Sequence, residues 1–383
     1  MVSARRRHIG EGPRVTVLTP VHNGEAYLAR CIESVLAQTY PHWEYVIVDN
    51  ASSDATPEIA RRYAGHDHRL RVHTNKRTVP VVENFNIAAR QVSPESGWCK
   101  YVCADDILFP ECLERMVELA GHHPSVGLVS AYQLQGPRLT LGGLPYPSPV
   151  LPGRYVGRAS LLGFLHAFGS PTAHMIRADF VRARETLYDE SNLHADEAAC
   201  YEILKTSDFG FVHQVLTYAE VHRGTVTFSV ARRLNTYLLG HLRILKMHGR
   251  AYLTADEYER VLEERMDAYY TFLTRTLLSP ARRQMWRYHR DGLRDLGVPL
   301  SRGRLFRAIL QQLLQSALSP GTELRNVVRL IRSRDADGPS WRQWWAPTGF
   351  EAVKSVEPSE PVVASRPPSR SRTPARAAAR SSS

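Results

Sequence analysis

Four times within the first 132 residues a short β-rich run hands over to an amphipathic helix, and this alternation restricts the fold more than any single motif. Arg14 to Thr19 reads RVTVLT, Trp43 to Val48 reads WEYVIV, Leu70 to His73 is a third run, and the run at Trp98 is a fourth; Val126 to Tyr132 closes the series. Between the first two, Tyr27, Leu28, Cys31, Ile32, Val35 and Leu36 repeat at the spacing of one buried helical face over Ala26 to Gln38. Thr56 with Pro57 just inside it opens the next helix, Val81 to Arg90 is another, and the helix after Pro110 buries Leu113, Met116, Val117 and Ala120. Strands alternating with helices of roughly 10 to 15 residues build βαβ units, so the expected class is α/β with a mostly parallel sheet.

In such sheets ligands sit outside the carboxyl ends of the strands. Thr19, Asp49, Asn50, Asp105 and Asp106 all fall at those ends. The adjacent carboxylates in KYVCADDILFP repel one another, and a divalent cation carrying a phosphorylated ligand makes such a pair favourable. The plainer reading is an acidic turn that favours the positive end of the following helix.

Further along, Gly136 to Gly157 is rich in Pro and Gly and reads as a long loop over one face, followed by apolar Leu161 to Phe168 and a strand near Ala173 to Ile176. His194-Ala195-Asp196-Glu197 opens a helix; Phe209 to His213 and Val215 to Tyr218 read as extended, ending in VHRGTVT. Beyond Phe228 the pattern is helical only: a stripe from Leu234 to Leu245, a capping box from Thr254 to Glu257 with a staple of Leu253 on Tyr258, a third helix over Leu305 to Leu318 and an Arg-rich fourth over Thr322 to Arg334. From Asp335 the apolar periodicity is lost, and Ser355 to Ser383 is low-complexity. The expected organisation is a flexible basic stretch over 1–13, a catalytic domain over 14–228, a helical region over 229–334 and a disordered tail over 335–383.

Of the 383 residues 43% are hydrophobic, ample for a core, and the net charge of +11 gathers late in the chain. Five scattered cysteines without paired metal spacing point to a reducing compartment. The basic N-terminus lacks an apolar run behind it, and no stretch approaches a membrane span, so a cytoplasmic protein is expected, soluble or peripheral at the inner membrane face. The basic fourth helix is a possible contact to an anionic membrane surface; no nucleic-acid partner is expected.

TPVHNGEAYL, then SVLAQTYPHWEYVIVDNASSDAT, then ADDILFPECL resembles the family 2 glycosyltransferases, over about Val15 to Thr227. The resemblance implies the GT-A fold, and transfer of a sugar, with inversion, from a nucleotide diphosphate sugar (a UDP-sugar is expected) to a saccharide or lipid-linked acceptor. It implies Mg2+ or Mn2+ held by Asp105, Asp106 and His222, with Cys103 where the family often has a further acid. Thr19, Pro20, Asp49 and Asn50 match positions that hold the nucleoside, and Asn50 stands where a second acid is common. His222 and Arg223 match a loop that closes over the diphosphate, which suits the forked donors of Arg. Asp196 resembles the catalytic base, with Ala195 in place of the usual preceding acid and Glu197 a second candidate. Two rivals are a nucleotidyltransferase, which lacks its basic Gly-rich loop after the first strand here, and an inactive nucleotide-sugar-binding scaffold.

Overall fold

A computed structural model describes residues 12–142, 144–222, 230–276 and 282–318. The expected alternation is realised as β1 (Arg14–Val21), α1 (Leu28–Leu36), β2 (Trp43–Asp49), α2 (Thr56–Ala64), β3 (Leu70–Thr74), α3 (Val81–Ala89), β4 (Ser96–Tyr101), the short β5 (Ile107–Leu108), α4 (Cys112–His122) and β6 (Val126–Gln135). β1 is buried along nearly its whole length, as expected for a central parallel strand covered on both faces. β1 pairs in parallel with both β2 and β4, so the chain order reverses between β1 and β4, where an open α/β sheet forms its ligand crevice.

The remainder of the sheet is mixed. After the minor strands β7 (Arg138–Thr140) and β8 (Val150–Leu151) come α5 (Gly153–Leu161), a turn of 3-10 helix at Pro171–Ala173, β9 (His174–Arg177), α6 (Ala178–Arg182), α7 (Ala195–Leu204) and β10 (Asp208–Ala219). The strand order is β3-β2-β1-β4-β9-β6-β10-β5, with β9 antiparallel to both its neighbours. The two extended runs expected at 209–218 are one strand, β10, with register shifts near Val215.

The Pro- and Gly-rich stretch is not the continuous loop its composition suggests. Its glycines serve packing: a Cβ on Gly157 would sit 2.3 Å from Cε1 of Tyr252, and one on Gly153 would meet the carbonyl oxygen of Ser207 at 2.0 Å. Both lie in α5, which approaches its neighbours too closely for side chains.

The C-terminal part contains the single turn α8 (Arg232–Leu234), then α9 (Thr236–Tyr252), α10 (Ala255–Arg275), α11 (Arg282–Asp295) and α12 (Arg302–Leu318). The capping box at Thr254 and Glu257 forms, and Leu253 and Tyr258 are both buried beside it. α11 escaped the sequence reading because its arginines dilute the stripe of Met285, His289 and Leu293, and because His289 counts as polar. His289 is nonetheless fully buried, bonded to the Tyr269 hydroxyl and the Leu234 carbonyl. A shared cluster of Leu161, Tyr201, Ile244, Leu245, Tyr252 and Val261 joins α5 and α7 to α9 and α10. Arg223, the helix expected over Thr322 to Arg334 and the basic tail lie outside the described residues.

Candidate active site

The strand register aligns the site. Asp49 ends β2 opposite Val21 of β1, and Tyr101 of β4 lies opposite Leu18, so Asp105 and Asp106 follow just past the same edge. The loops after β1 and β2 are laced together: the amide of Gly24 donates to Thr56 Oγ1 (2.7 Å), that of Glu25 to Asp54 Oδ2 (3.1 Å), that of Ala55 to Glu25 Oε2 (2.9 Å) and that of Ser53 to Asn23 Oδ1 (2.9 Å). Much of the motif pair HNGE and DNASSDAT therefore builds the rim of the crevice. Ala51 holds a left-handed backbone (φ 52), a conformation that a β-carbon disfavours.

The four residues expected around the nucleoside behave differently from one another. Asp49 is fully buried; its Oδ1 accepts from the Ser52 amide (3.1 Å), while its Oδ2 has no hydrogen-bond partner among the described residues. An unpaired buried carboxylate oxygen is costly, and a ligand N–H or O–H would satisfy it. Asn50 is engaged within the protein. Its Nδ2 donates to the Val79 carbonyl (2.8 Å) and its Oδ1 accepts from the Val79 amide and Asn75 Nδ2 (both 2.9 Å), so the amide fixes the loop after β3. Thr19 turns its hydroxyl into the core against the Tyr45 hydroxyl (2.8 Å), because alternation along β1 points it inward, so its side chain is committed to packing. Pro20 is buried next to it.

The acid pair also divides. Asp105 is partly exposed and its Oδ2 lies 3.1 Å from Nε2 of His222, whose ring stacks on Tyr27 at 4.5 Å. Asp106, 4% exposed, accepts at Oδ2 from the Thr172 hydroxyl (2.5 Å) and at Oδ1 from the Glu220 amide (3.1 Å). Burial, then the charge of Asp105, pushes the Asp106 carboxyl up to about 7. With both oxygens held by protein donors, Asp106 supports the turn. Thr172 also accepts from the Cys103 amide (2.9 Å), and its carbonyl accepts from Nζ of the fully buried Lys100 (2.5 Å).

Thr172, Tyr27 and Glu220 were not among the residues singled out in the sequence. In the sequence Tyr27 is one of a helix-face series, and nothing local marks Thr172 or the Glu220 amide.

Asp196 and Glu197 sit in the first turn of α7. Glu197 pairs with Nε2 of His241 (3.3 Å) on α9; burial pushes its carboxyl up, but His241 and its other basic neighbours outweigh this and hold it low. Asp196 is partly exposed and its carboxylate is met by backbone amides of the helix start. Burial pushes it up to about 7, a value suited to a group that must lose and regain a proton near neutrality. Neighbouring carboxyls whose environments drive them apart divide a paired, structural acid from a proton-accepting one.

Residues 16–184 match the family model described as Glycosyl transferase family 2. Over that stretch the chain is similar to the family 2 glycosyltransferases. It is 28% identical over 278 residues to EpsE of Bacillus subtilis (strain 168), which carries a glycosyltransferase name, covering 67% of this chain and 96% of that protein. It is 36% identical over 110 residues to TuaG of the same organism, named for teichuronic acid biosynthesis, covering 28% of this chain and 41% of TuaG. The crystal structure of S. aureus TarS 1-349 in complex with UDP-GlcNAc superposes with a TM-score of 0.57 at 16% identity, over 75% of this chain and 82% of that one. This likeness establishes the GT-A fold for the glycosyltransferase chain. Among the described residues no helix is long and apolar enough to cross a membrane.

Proposed function

We propose that this glycosyltransferase acts with inversion, moving a sugar from a nucleotide diphosphate sugar to an acceptor hydroxyl in the synthesis of a cell-surface polysaccharide or glycolipid, with Asp196 as base. The observation that carries the reading is the contrast at the start of α7: Glu197 is engaged by His241, while the Asp196 carboxylate is left to backbone amides and pushed up to about 7. Asp196 takes the proton of the acceptor hydroxyl as that oxygen bonds to the anomeric carbon. The bond from that carbon to the diphosphate breaks from the opposite face, and its electron pair leaves with the diphosphate. Asp49 supports nucleoside binding through its unpaired oxygen, and Tyr27 holds the His222 ring at the diphosphate side.

Asp105 and His222 converge within 3.1 Å and are both partly exposed, which fits two protein ligands of a hard cation whose other positions belong to diphosphate and water. Such a cation, Mg2+ or Mn2+, would neutralise charge on the departing diphosphate. Arg223 is placed by the motif alone on the same side. A UDP-sugar is the donor in this reading, which the TarS likeness supports. The acceptor is a saccharide or a lipid-linked one, met at the inner membrane face if the basic segment after residue 318 docks there.

Incubation with a panel of nucleotide sugars and Mn2+ tests the reading: slow release of nucleotide from one donor, abolished in Asp196→Asn when acceptor is supplied, is expected. Unimpaired turnover in that variant would overturn the assignment of the base.

A further inference from the structure

A cleft of about 440 Å³ lies where the turn before α7 meets α9 and α11, apart from the strand-end residues described above. One wall is Asn192, 4% exposed. Its Oδ1 accepts from the His194 amide (3.0 Å) and its carbonyl from the Ala195 amide (3.2 Å), so it shapes the turn that delivers Asp196. Its Nδ2 is buried with no hydrogen-bond partner among the described residues. A buried donor left without an acceptor is the mark of a group whose partner comes from outside the chain.

The charges around the cleft cancel. Arg243 and Arg287 are its cationic lining groups and Asp291 and Asp295 its anionic ones, with Arg243 joined to Asp189 (3.5 Å) and Asp291 to Arg294 (3.6 Å). A phosphate site would show an excess of cations, which is absent from this lining. The remaining polar lining consists of planar or hydroxylated groups, Gln284 and Tyr288 among them, over an apolar floor of Leu234 and Leu239. Amide and hydroxyl groups beside an aromatic ring suit the hydroxyls and C–H faces of a sugar.

We propose that this cleft is a subsite for a neutral saccharide unit of the acceptor, seated between the turn that carries Asp196 and the appended helices. The inference rests on the glycosyltransferase reading, since it assigns the sugar to the acceptor. A sugar held there would bear on the same turn that presents the base.

The test is saturation-transfer NMR on the full chain with UDP present, using maltose, lactose and the N-acetylglucosamine disaccharide as probes and sulfate as competitor. At least one disaccharide should bind with a Kd of about 1–10 mM, and the double variant Gln284→Ala/Arg287→Ala, at two exposed positions, should weaken it about five- to tenfold. UDP binding should be unchanged in that variant. No binding by any of the three, or binding indifferent to the double substitution, would overturn the subsite, and displacement by sulfate would overturn its neutral character. Failure to bind UDP would count against the glycosyltransferase reading separately, whatever the disaccharides do.

Discussion

Asp106 and Asp196 are both carboxyls that burial pushes up to about 7, but their surroundings are opposite. Asp106 is clamped at both oxygens, by the Thr172 hydroxyl and the Glu220 amide. Asp196 has its potential competitor removed instead, because His241 occupies Glu197. A hydrogen-bonded buried acid holds a turn in shape, whereas one left to helix amides remains able to take a proton. The turn after β4 is thus held by closing both oxygens of one acid on protein donors, and the start of α7 by pairing one acid with a histidine beside another that has no such partner.

The sharpest way to break this contrast is Asp196→Asn, which should lower kcat by about 10²–10⁴ with nucleotide affinity unchanged, checked by turnover and by UDP titration. In the unmodified chain kcat should rise with pH through about 7 as Asp196 loses its proton. The sign for stability is the reverse. The folded state keeps a proton that an unfolded Asp, with pKa about 3.9, releases, so stability is lost as pH rises from about 4 to 7. Asp196→Asn should therefore raise Tm at pH 8 but not at pH 4; an equal shift at both would remove burial as the cause.

Thr172→Val tests the clamped side. It removes the donor to Asp106 and the acceptor of the Cys103 amide, and should cost about 1–3 kcal/mol in denaturant unfolding, with Thr172→Ser restoring most of it. His241→Ala should free Glu197 and lower kcat about tenfold with donor KM unchanged; a loss confined to donor KM would move the role of His241 away from the base. The smallest effect is expected at the rim, where Ala51→Gly relieves a left-handed alanine and should add about 0.5–1 kcal/mol without changing activity.

The edge along which the strands end was largely legible in the sequence. Strand ends are marked by the switch from apolar runs to Asp49-Asn50 and Asp105-Asp106, because parallel pairing puts such ends along one edge. What a residue at that edge does was less legible: Asn50 and Thr19 occupy the expected places yet turn inward, since their partners, Val79, Asn75 and Tyr45, are set by packing between elements. Asp196 was legible as the start of a helix and was preferred to Glu197 by resemblance; the pairing of Glu197 with His241 was not legible, because the stripe of α9 says nothing about its neighbour. Gly153 and Gly157 misled in the other direction, imitating a loop where close contact requires them.

The clamp on Asp106 spans 66 residues to Thr172 and 114 to Glu220. At a synthesis rate of about 5–20 residues per second, the ribosome exposes the acid pair on the order of ten seconds before the last of its supports is made. Throughout that interval the nascent sheet carries two adjacent aspartates with no seat for the second. The half-made crevice is consequently not a miniature of the finished one, and its final shape arises late, when β10 joins the sheet.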